Sequence, residues 1–234
     1  MTTEIKKRQS WLSIFTIEFL LVLLLLLALL IFIYAAREIF ILKNFVLDDD
    51  IFKGLEPYIT PGRTRFMNFI TIFGKHTLLI PLNFLLIIFF IYRKEKWFAT
   101  RIAALSLSSV IIIFVLKFYF QRERPLVPVI GEVGGYSFPS GHALISIVFY
   151  GLFIHMIWHK VKQHWLKTSL VVFLIVFILL ISFTRIYLRV HYASDVIAGL
   201  AVGFIWLVLA LRIIHVIEKK FIARRALKAE GLEN

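Results

Sequence analysis

The sequence predicts an all-α, polytopic membrane protein whose six transmembrane helices form one bundle. Of its 234 residues, 60% are hydrophobic and 16% aromatic, whereas about half of a typical soluble domain is apolar. The hydrophobic residues fall in six long runs, each close to the roughly 20 residues that a helix needs to cross the hydrocarbon core. Most charged residues lie between these runs, as expected for loops that connect membrane spans.

The six predicted spans follow one another along the whole chain. In order, they occupy residues 11–34, 77–92, 102–120, 143–158, 170 to about 188 and 196–216. The first is too long for the apolar part of a cleaved signal peptide and is therefore expected to stay as a mature helix. The second is short and contains Pro81, so its boundaries are the least well defined. No linker or repeat divides the chain, which predicts a single membrane domain over residues 1–234.

The segment between the first two spans, residues 37–75, mixes apolar residues with prolines and an acidic run at residues 48–50. This mixture predicts short interfacial helices on the surface of the bundle. Two roles remain open for them: a lid that admits a molecule from the bilayer, or a connector packed over the helix ends.

Charge sets the expected orientation and excludes some partners. With both termini cytoplasmic, 16 of the 27 Lys and Arg residues fall on the cytoplasmic side, in accordance with the retention of basic residues in inner loops. The net charge of +13 is spread over loops between spans, so we expect no nucleic-acid partner. The chain has no cysteine, which excludes disulfides and thiolate metal sites.

Three separated stretches place cations, two histidines and one aspartate at the ends of apolar spans. They are KFYFQRERP at residues 117–125, PSGH at 139–142 and TRIYLRVHYASD at 184–195. The predicted topology brings all three to the same, extracytoplasmic face. Ionisable groups at such depth are rare unless they serve a function.

The residue types fit the handling of a phosphate group. Lys117, Arg124 and Arg185 are the predicted clamps, because transfer of a phosphoryl group depends largely on positioning and on stabilising negative charge. Ser140 and Gly141 begin a helix, where free backbone amides and the positive end of the helix dipole bind anions.

The two histidines are the predicted nucleophile and acid. Asp195 follows His191 by four residues, about one helical turn, so its carboxylate is expected to accept a proton from one ring nitrogen and leave the other for the phosphate. His142 lies beside the helix start and is expected to protonate the departing oxygen. His76 lies on the same side; it either reaches the substrate headgroup or caps the second span.

These stretches resemble the type 2 phosphatidic acid phosphatase family, which also includes vanadium haloperoxidases and glucose-6-phosphatase. The family pattern K-x6-RP, PSGH and SRx5Hx3D is matched with one departure, Thr184 in place of serine. The resemblance implies a six-helix membrane core, here about residues 66–216, and a phosphohistidine mechanism without cofactor or metal. It also implies the same roles for Lys117, Arg124, Arg185 and the two histidines.

The predicted function is that of a lipid phosphate phosphatase of the bacterial inner membrane, which hydrolyses a lipid phosphomonoester or pyrophosphate at the extracytoplasmic face. Its partners would be this substrate and the surrounding membrane lipids, with the oligomeric state left open. A phosphotransferase that passes the phosphoryl group to another acceptor is the alternative. A non-catalytic lipid binder would not require both histidines and the aspartate. The sequence does not distinguish phosphatidic acid, phosphatidylglycerophosphate, undecaprenyl pyrophosphate and lipid A phosphates.

Overall fold

The computed structural model describes residues 2–131 and 133–229, with side chains from Thr16 onward except those of residues 226, 228 and 229. These residues form eight α-helices and no β-strand. The helices are α1 Thr2–Phe40, α2 Val46–Leu55, α3 Pro61–Thr71, α4 His76–Tyr92, α5 Lys96–Phe120, α6 Gly141–Lys160, α7 His164–Tyr187 and α8 Ala193–Ala229. The predicted all-α class is confirmed.

Six helical segments within the described residues are long and apolar enough to cross a membrane, which confirms the predicted number of spans. The second begins earlier than predicted: it covers Pro61–Tyr92, because α3 continues into α4 through a single 3₁₀ turn at Ile72–Gly74. Large hydrophobic side chains point outward along these segments, as helices in contact with lipid require. The two ends of the chain lie outside the described residues, so their cytoplasmic location stays a prediction.

Four helix ends at one side of the bundle carry or adjoin the motif residues. Helix α5 stops where Gln121 adopts a left-handed backbone with φ of 47°, a conformation that ends α-helices. Helix α6 begins after Ser140, whose backbone is extended. Helices α7 and α8 are joined by a turn of five residues, 188–192, so α8 starts close to the end of α7.

Helix α6 lies at the centre of the bundle and packs against α5, α7 and α8, while α1 packs on α8 and α4 on α5. Two glycines of α8, spaced four residues apart, allow the backbones of α8 and α6 to approach each other closely. A Cβ at Gly199 would lie 2.6 Å from the backbone oxygen of Ser140, and one at Gly203 would lie 2.9 Å from the backbone oxygen of Leu144. Small residues at such spacing let helices in membranes pack backbone to backbone. The contact at Gly199 fixes the start of α6 against the start of α8.

Helix α2 is packed over the helix ends on the motif-bearing side. Asp48 on α2 is buried and accepts a hydrogen bond from the backbone N–H of Ser194 at 2.9 Å. One turn further along α2, Arg189 donates to the backbone oxygen of Phe52 at 3.2 Å. Both contacts attach the interfacial segment to the α7–α8 turn.

Candidate active site

The three predicted cations are close neighbours. Lys117 in the last turn of α5, Arg124 in the following loop and Arg185 in the last turn of α7 interact electrostatically with one another. Arg185 Nη1 donates to Thr71 Oγ1 of α3 at 2.7 Å, and its Nε has no hydrogen-bond partner among the described residues. Like charges brought together in this way favour the binding of an anion, in addition to the Asp195 carboxylate that already acts on Lys117 and Arg124.

Backbone carbonyls of the α5–α6 loop and of the α7–α8 turn hold two of these cations in place. Lys117 Nζ donates to the carbonyl oxygen of Tyr136. Arg124 Nε donates to the carbonyl oxygen of Gly135 at 2.9 Å, and its Nη1 donates to that of Val190 at 2.6 Å. Burial lowers the pKa of the Arg124 guanidinium from its ordinary value, although an arginine remains charged at neutral pH.

The start of α6 lies beside the cations. Ser140 is fully buried, and its Oγ has no hydrogen-bond partner among the described residues. The first amides of the helix have no intrahelical acceptor. A Cβ at Gly141 would meet only the side chain of Ile113 at 3.5 Å, an ordinary contact. Packing within the protein therefore does not require glycine at this position.

His142 is in the first turn of α6 and close to the other site residues. It interacts electrostatically with Arg185 and His191, and its Nε2 is buried without a hydrogen-bond partner among the described residues. The backbone of Gly74, at the join of α3 and α4, lies against the ring, since a Cβ there would be 3.0 Å from His142 Cδ2. The histidine is thus held by packing, with one ring nitrogen that no described residue bonds.

The structure brings His191 and Asp195 together, but the two side chains are slightly too far apart for the direct hydrogen bond that was predicted. His191 Nδ1 and Asp195 Oδ2 are 3.6 Å apart, which is too long for a hydrogen bond. The hydroxyl of Ser137 lies between them, 2.5 Å from Asp195 Oδ2 and 3.2 Å from His191 Nδ1. The reason is that α8 begins at Ala193, so His191 precedes the helix and the helical spacing does not apply to the pair.

The other nitrogen of His191 faces the cations. Its Nε2 is 3.4 Å from Arg124 Nη1, and the side chain is buried. Burial lowers the pKa of His191 to about 3, so the imidazole is neutral at physiological pH. A neutral ring with one unprotonated nitrogen is the form that acts as a nucleophile.

Asp195 is held on both of its oxygens. Oδ2 accepts from Ser137 and from the backbone N–H of Tyr192 at 2.9 Å, and Oδ1 accepts from Arg122 Nη1 at 2.6 Å. Arg122 belongs to the same stretch of sequence as Lys117 and Arg124. Its second nitrogen, Nη2, donates to Asp48 Oδ2 of α2 at 2.8 Å.

Thr184 and His76 complete the set of predicted residues. The hydroxyl of Thr184 donates to the carbonyl oxygen of Ile181 at 2.6 Å. Its hydrogen-bond partner is therefore the backbone of its own helix, α7. His76 is the first residue of α4 and its side chain is exposed. Sequence reasoning missed Ser137 and Asp48. The sequence offered an indication only for Ser137, which lies three residues before Ser140 in the same motif-bearing loop.

Comparison with known proteins agrees with this architecture. The PAP2 superfamily matches residues 97–219, which is more than half of the chain. The chain belongs to the PAP2 superfamily. The family predicted from the three motifs is therefore confirmed, and the matched region contains all eight predicted site residues.

Relatives in the PAP2 superfamily are bacterial membrane lipid phosphatases. Phosphatidylglycerophosphatase B of Bacillus subtilis (strain 168) is 26% identical over 161 residues, which are 68% of this chain and 78% of the relative. The candidate undecaprenyl-diphosphatase YbjG of Escherichia coli (strain K12) is 26% identical over 153 residues, 62% of this chain and 73% of the relative. These names confirm the predicted class of enzyme, a hydrolase of lipid phosphates.

A solved structure has the same fold. The crystal structure of the first transmembrane PAP2-type phosphatidylglycerolphosphate phosphatase from Bacillus subtilis matches with a TM-score of 0.73 at 23% identity, over 84% of this chain and 96% of that chain. The likeness confirms a PAP2-type multi-pass membrane bundle. The membrane face of the site and the roles of its residues stay predictions.

Proposed function

We propose that this protein hydrolyses the terminal phosphate of a membrane lipid, as a phosphomonoester or a diphosphate, through a phosphohistidine at the extracytoplasmic face. The observation that carries the proposal is the convergence of three cations, the start of a helix and two histidines at one place. Such a site suits a tetrahedral dianion and gives it both a nucleophile and an acid.

In the proposed first step, Lys117, Arg124 and Arg185 hold the phosphate oxygens together with the free amides at the start of α6. His191 Nε2 then attacks phosphorus while the bond from phosphorus to the lipid oxygen breaks. His142, in its protonated form, gives its proton to the departing oxygen. The phosphoryl group is now on His191, and the dephosphorylated lipid leaves.

In the second step, neutral His142 takes a proton from a water molecule, whose oxygen attacks the same phosphorus. The phosphorus–nitrogen bond breaks, and inorganic phosphate departs while both histidines return to their starting states. The ring of His191 gains positive charge when it is phosphorylated. The Asp195 carboxylate, one hydroxyl away through Ser137, would stabilise that charge.

The proposed substrate class follows from the location of the site and from the relatives. The site lies at the ends of membrane-spanning segments, where a hydrocarbon tail stays in the bilayer while a phosphate reaches the cations. One relative is named for phosphatidylglycerophosphate and another for undecaprenyl diphosphate. These lipids share an exposed terminal phosphate, so we propose recognition of that group on a lipid anchor.

The proposal is tested by phosphate release from purified protein in detergent. The substrates would be phosphatidic acid, phosphatidylglycerophosphate, undecaprenyl diphosphate and lipid A, each with and without an added alcohol acceptor. We expect release from at least one lipid without acceptor and a loss of at least about a thousandfold for His191→Ala. The matched control is His215→Ala, since His215 is an exposed residue of α8 outside the site. Equal activity of the His191→Ala variant would refute the proposal.

The predicted face requires a separate experiment. A membrane-impermeant label on a cysteine introduced in the α5–α6 loop, in a chain that has no cysteine of its own, would react in intact cells if this side is extracytoplasmic. Reaction only after the cells are opened would contradict the proposed orientation.

A further inference from the structure

Asp48 is a buried carboxylate in an otherwise peripheral helix. Its relative exposure is 2%, whereas the neighbouring Asp49 and Asp50 on α2 are exposed. Burying a carboxylate costs several kcal/mol unless its charge and its oxygens are well partnered. Its burial therefore requires an explanation that the packing of α2 alone does not give.

The hydrogen-bond partners of Asp48 connect it to Asp195. Asp48 Oδ1 accepts from the backbone N–H of Ser194 at 2.9 Å. Its Oδ2 accepts from Ser194 Oγ at 2.6 Å and from Arg122 Nη2 at 2.8 Å. Arg122 Nη1 in turn donates to Asp195 Oδ1 at 2.6 Å and to Ser194 Oγ at 2.8 Å. One guanidinium thus holds two carboxylates, one on each terminal nitrogen.

The orientation of the Arg122 guanidinium is fixed by its surroundings. The ring of Tyr192 lies 4.0 Å from Arg122 Cζ, a stacking distance for a cation on an aromatic face. Only 7% of the Arg122 side chain is exposed. The plane of the guanidinium is therefore set by Tyr192, and its direction within that plane is set by Asp48 and Asp195.

We propose that Asp48 is a positioning residue of the catalytic site, which acts through Arg122 and Ser194 to orient Asp195 and thereby His191. Helix α2 then contributes to catalysis as well as covering the site. This inference rests on the proposed function of His191 as the nucleophile.

Charge explains why a carboxylate is needed at this position. Arg122 shares one positive charge between two negative ones, so Asp195 keeps part of its negative charge for the ring of His191. Without the Asp48 charge, Arg122 would neutralise Asp195 more fully and would be free to tilt towards its second oxygen. That oxygen is the one that Ser137 bonds, so the tilt would disturb the contact that orients His191.

The test is Asp48→Asn in the full-length purified protein. The amide can still accept from the backbone of Ser194, but its NH2 group would face Arg122 and Ser194 Oγ, and its charge is gone. We expect kcat per active site to fall by about tenfold to hundredfold, the range for a small misplacement of a catalytic group, with KM unchanged within about twofold. Active sites are counted by the burst of phosphoenzyme, and the melting temperature in detergent is measured alongside.

Two further variants complete the design. Asp50→Asn, the same change at an exposed position of the same helix, should leave kcat at the wild-type value. Ser194→Ala removes the shared hydroxyl but keeps the backbone bond to Asp48, so we expect a smaller fall in kcat, about threefold to tenfold. It provides a second route to the answer if Asp48→Asn does not fold.

The outcomes separate this inference from the proposed function. Wild-type kcat in both Asp48→Asn and Ser194→Ala would overturn it, and so would a loss that comes entirely from a smaller burst or a lower melting temperature. If the wild-type protein forms no phosphoenzyme, or if His191→Ala keeps full activity, the proposed function fails first. A fall in kcat with burst, KM and melting temperature preserved supports the inference.

Discussion

Replacing Gly199 by alanine should reduce both stability and activity, because this glycine sets the distance between α6, which carries His142, and α8, which begins two residues after His191. A Cβ at this position would lie 2.6 Å from the carbonyl oxygen of Ser140, whereas ordinary contact begins at 3.4 Å. The contact is with backbone, so no side chain can turn aside, and α6 and α8 would have to separate by about 0.8 Å.

That separation would act directly on the site. The backbone N–H of Ser140 donates to the carbonyl oxygen of Asp195 at 2.9 Å, so moving the helices apart stretches this bond and shifts His142 relative to His191. Overpacking of this kind costs about 1–3 kcal/mol of unfolding free energy. A misplacement near 1 Å lowers catalysis by about a hundredfold.

The assay is lipid phosphate release at saturating and limiting substrate, together with thermal melting in the same detergent. Gly203→Ala is the informative companion, because its Cβ would meet the backbone of Leu144 deeper in the bundle; we expect similar destabilisation with a smaller loss of kcat. Gly62→Ala is the control, since nothing lies within 4 Å of a Cβ there. Wild-type melting and activity in Gly199→Ala would refute the packing described for α6 and α8.

Three other predictions follow from the site. Ser137→Ala should lower kcat about tenfold or more with KM little changed, since it removes a hydrogen bond to the Asp195 carboxylate; steady-state kinetics measure this. Thr184→Val should keep activity within about threefold, because the hydroxyl only serves the carbonyl oxygen of Ile181; the same kinetics check it. Burial lowers the pKa of His191 to about 3 from 6.5, so the unfolded chain binds the extra proton between these values. The unfolding free energy should therefore fall as pH drops through this range, and His191→Gln should lack that part of the slope in pH-dependent melts.

Much of the fold was predictable because apolar runs of membrane length leave few alternatives. The same topology placed the ends of α5, α6, α7 and α8 on one side, which is why the sequence alone could group the cations and the histidines. The start of the second span was less predictable. Lys75 and His76 interrupt the apolar pattern, yet only one 3₁₀ turn separates α3 from α4.

The contacts around Asp195 could not be predicted from local patterns. Asp48 belongs to a run of three acidic residues that is typical of a solvated surface, and its partner Ser194 is 146 residues away. It is buried where α2 packs against α8, a contact that no periodicity of the sequence indicates. Ser137 lies in an irregular loop, where the path of the backbone decides which side chain reaches the carboxylate.

The most direct measurement of the central claim is the identification of the residue that carries the phosphoryl group. Purified protein would be mixed with a lipid labelled in its terminal phosphate, quenched in alkali, digested and mapped. We predict an alkali-stable, acid-labile label on His191 that is present in His215→Ala and absent in His191→Ala. Turnover with the label on another residue, or full turnover by His191→Ala with no labelled protein, would contradict the account.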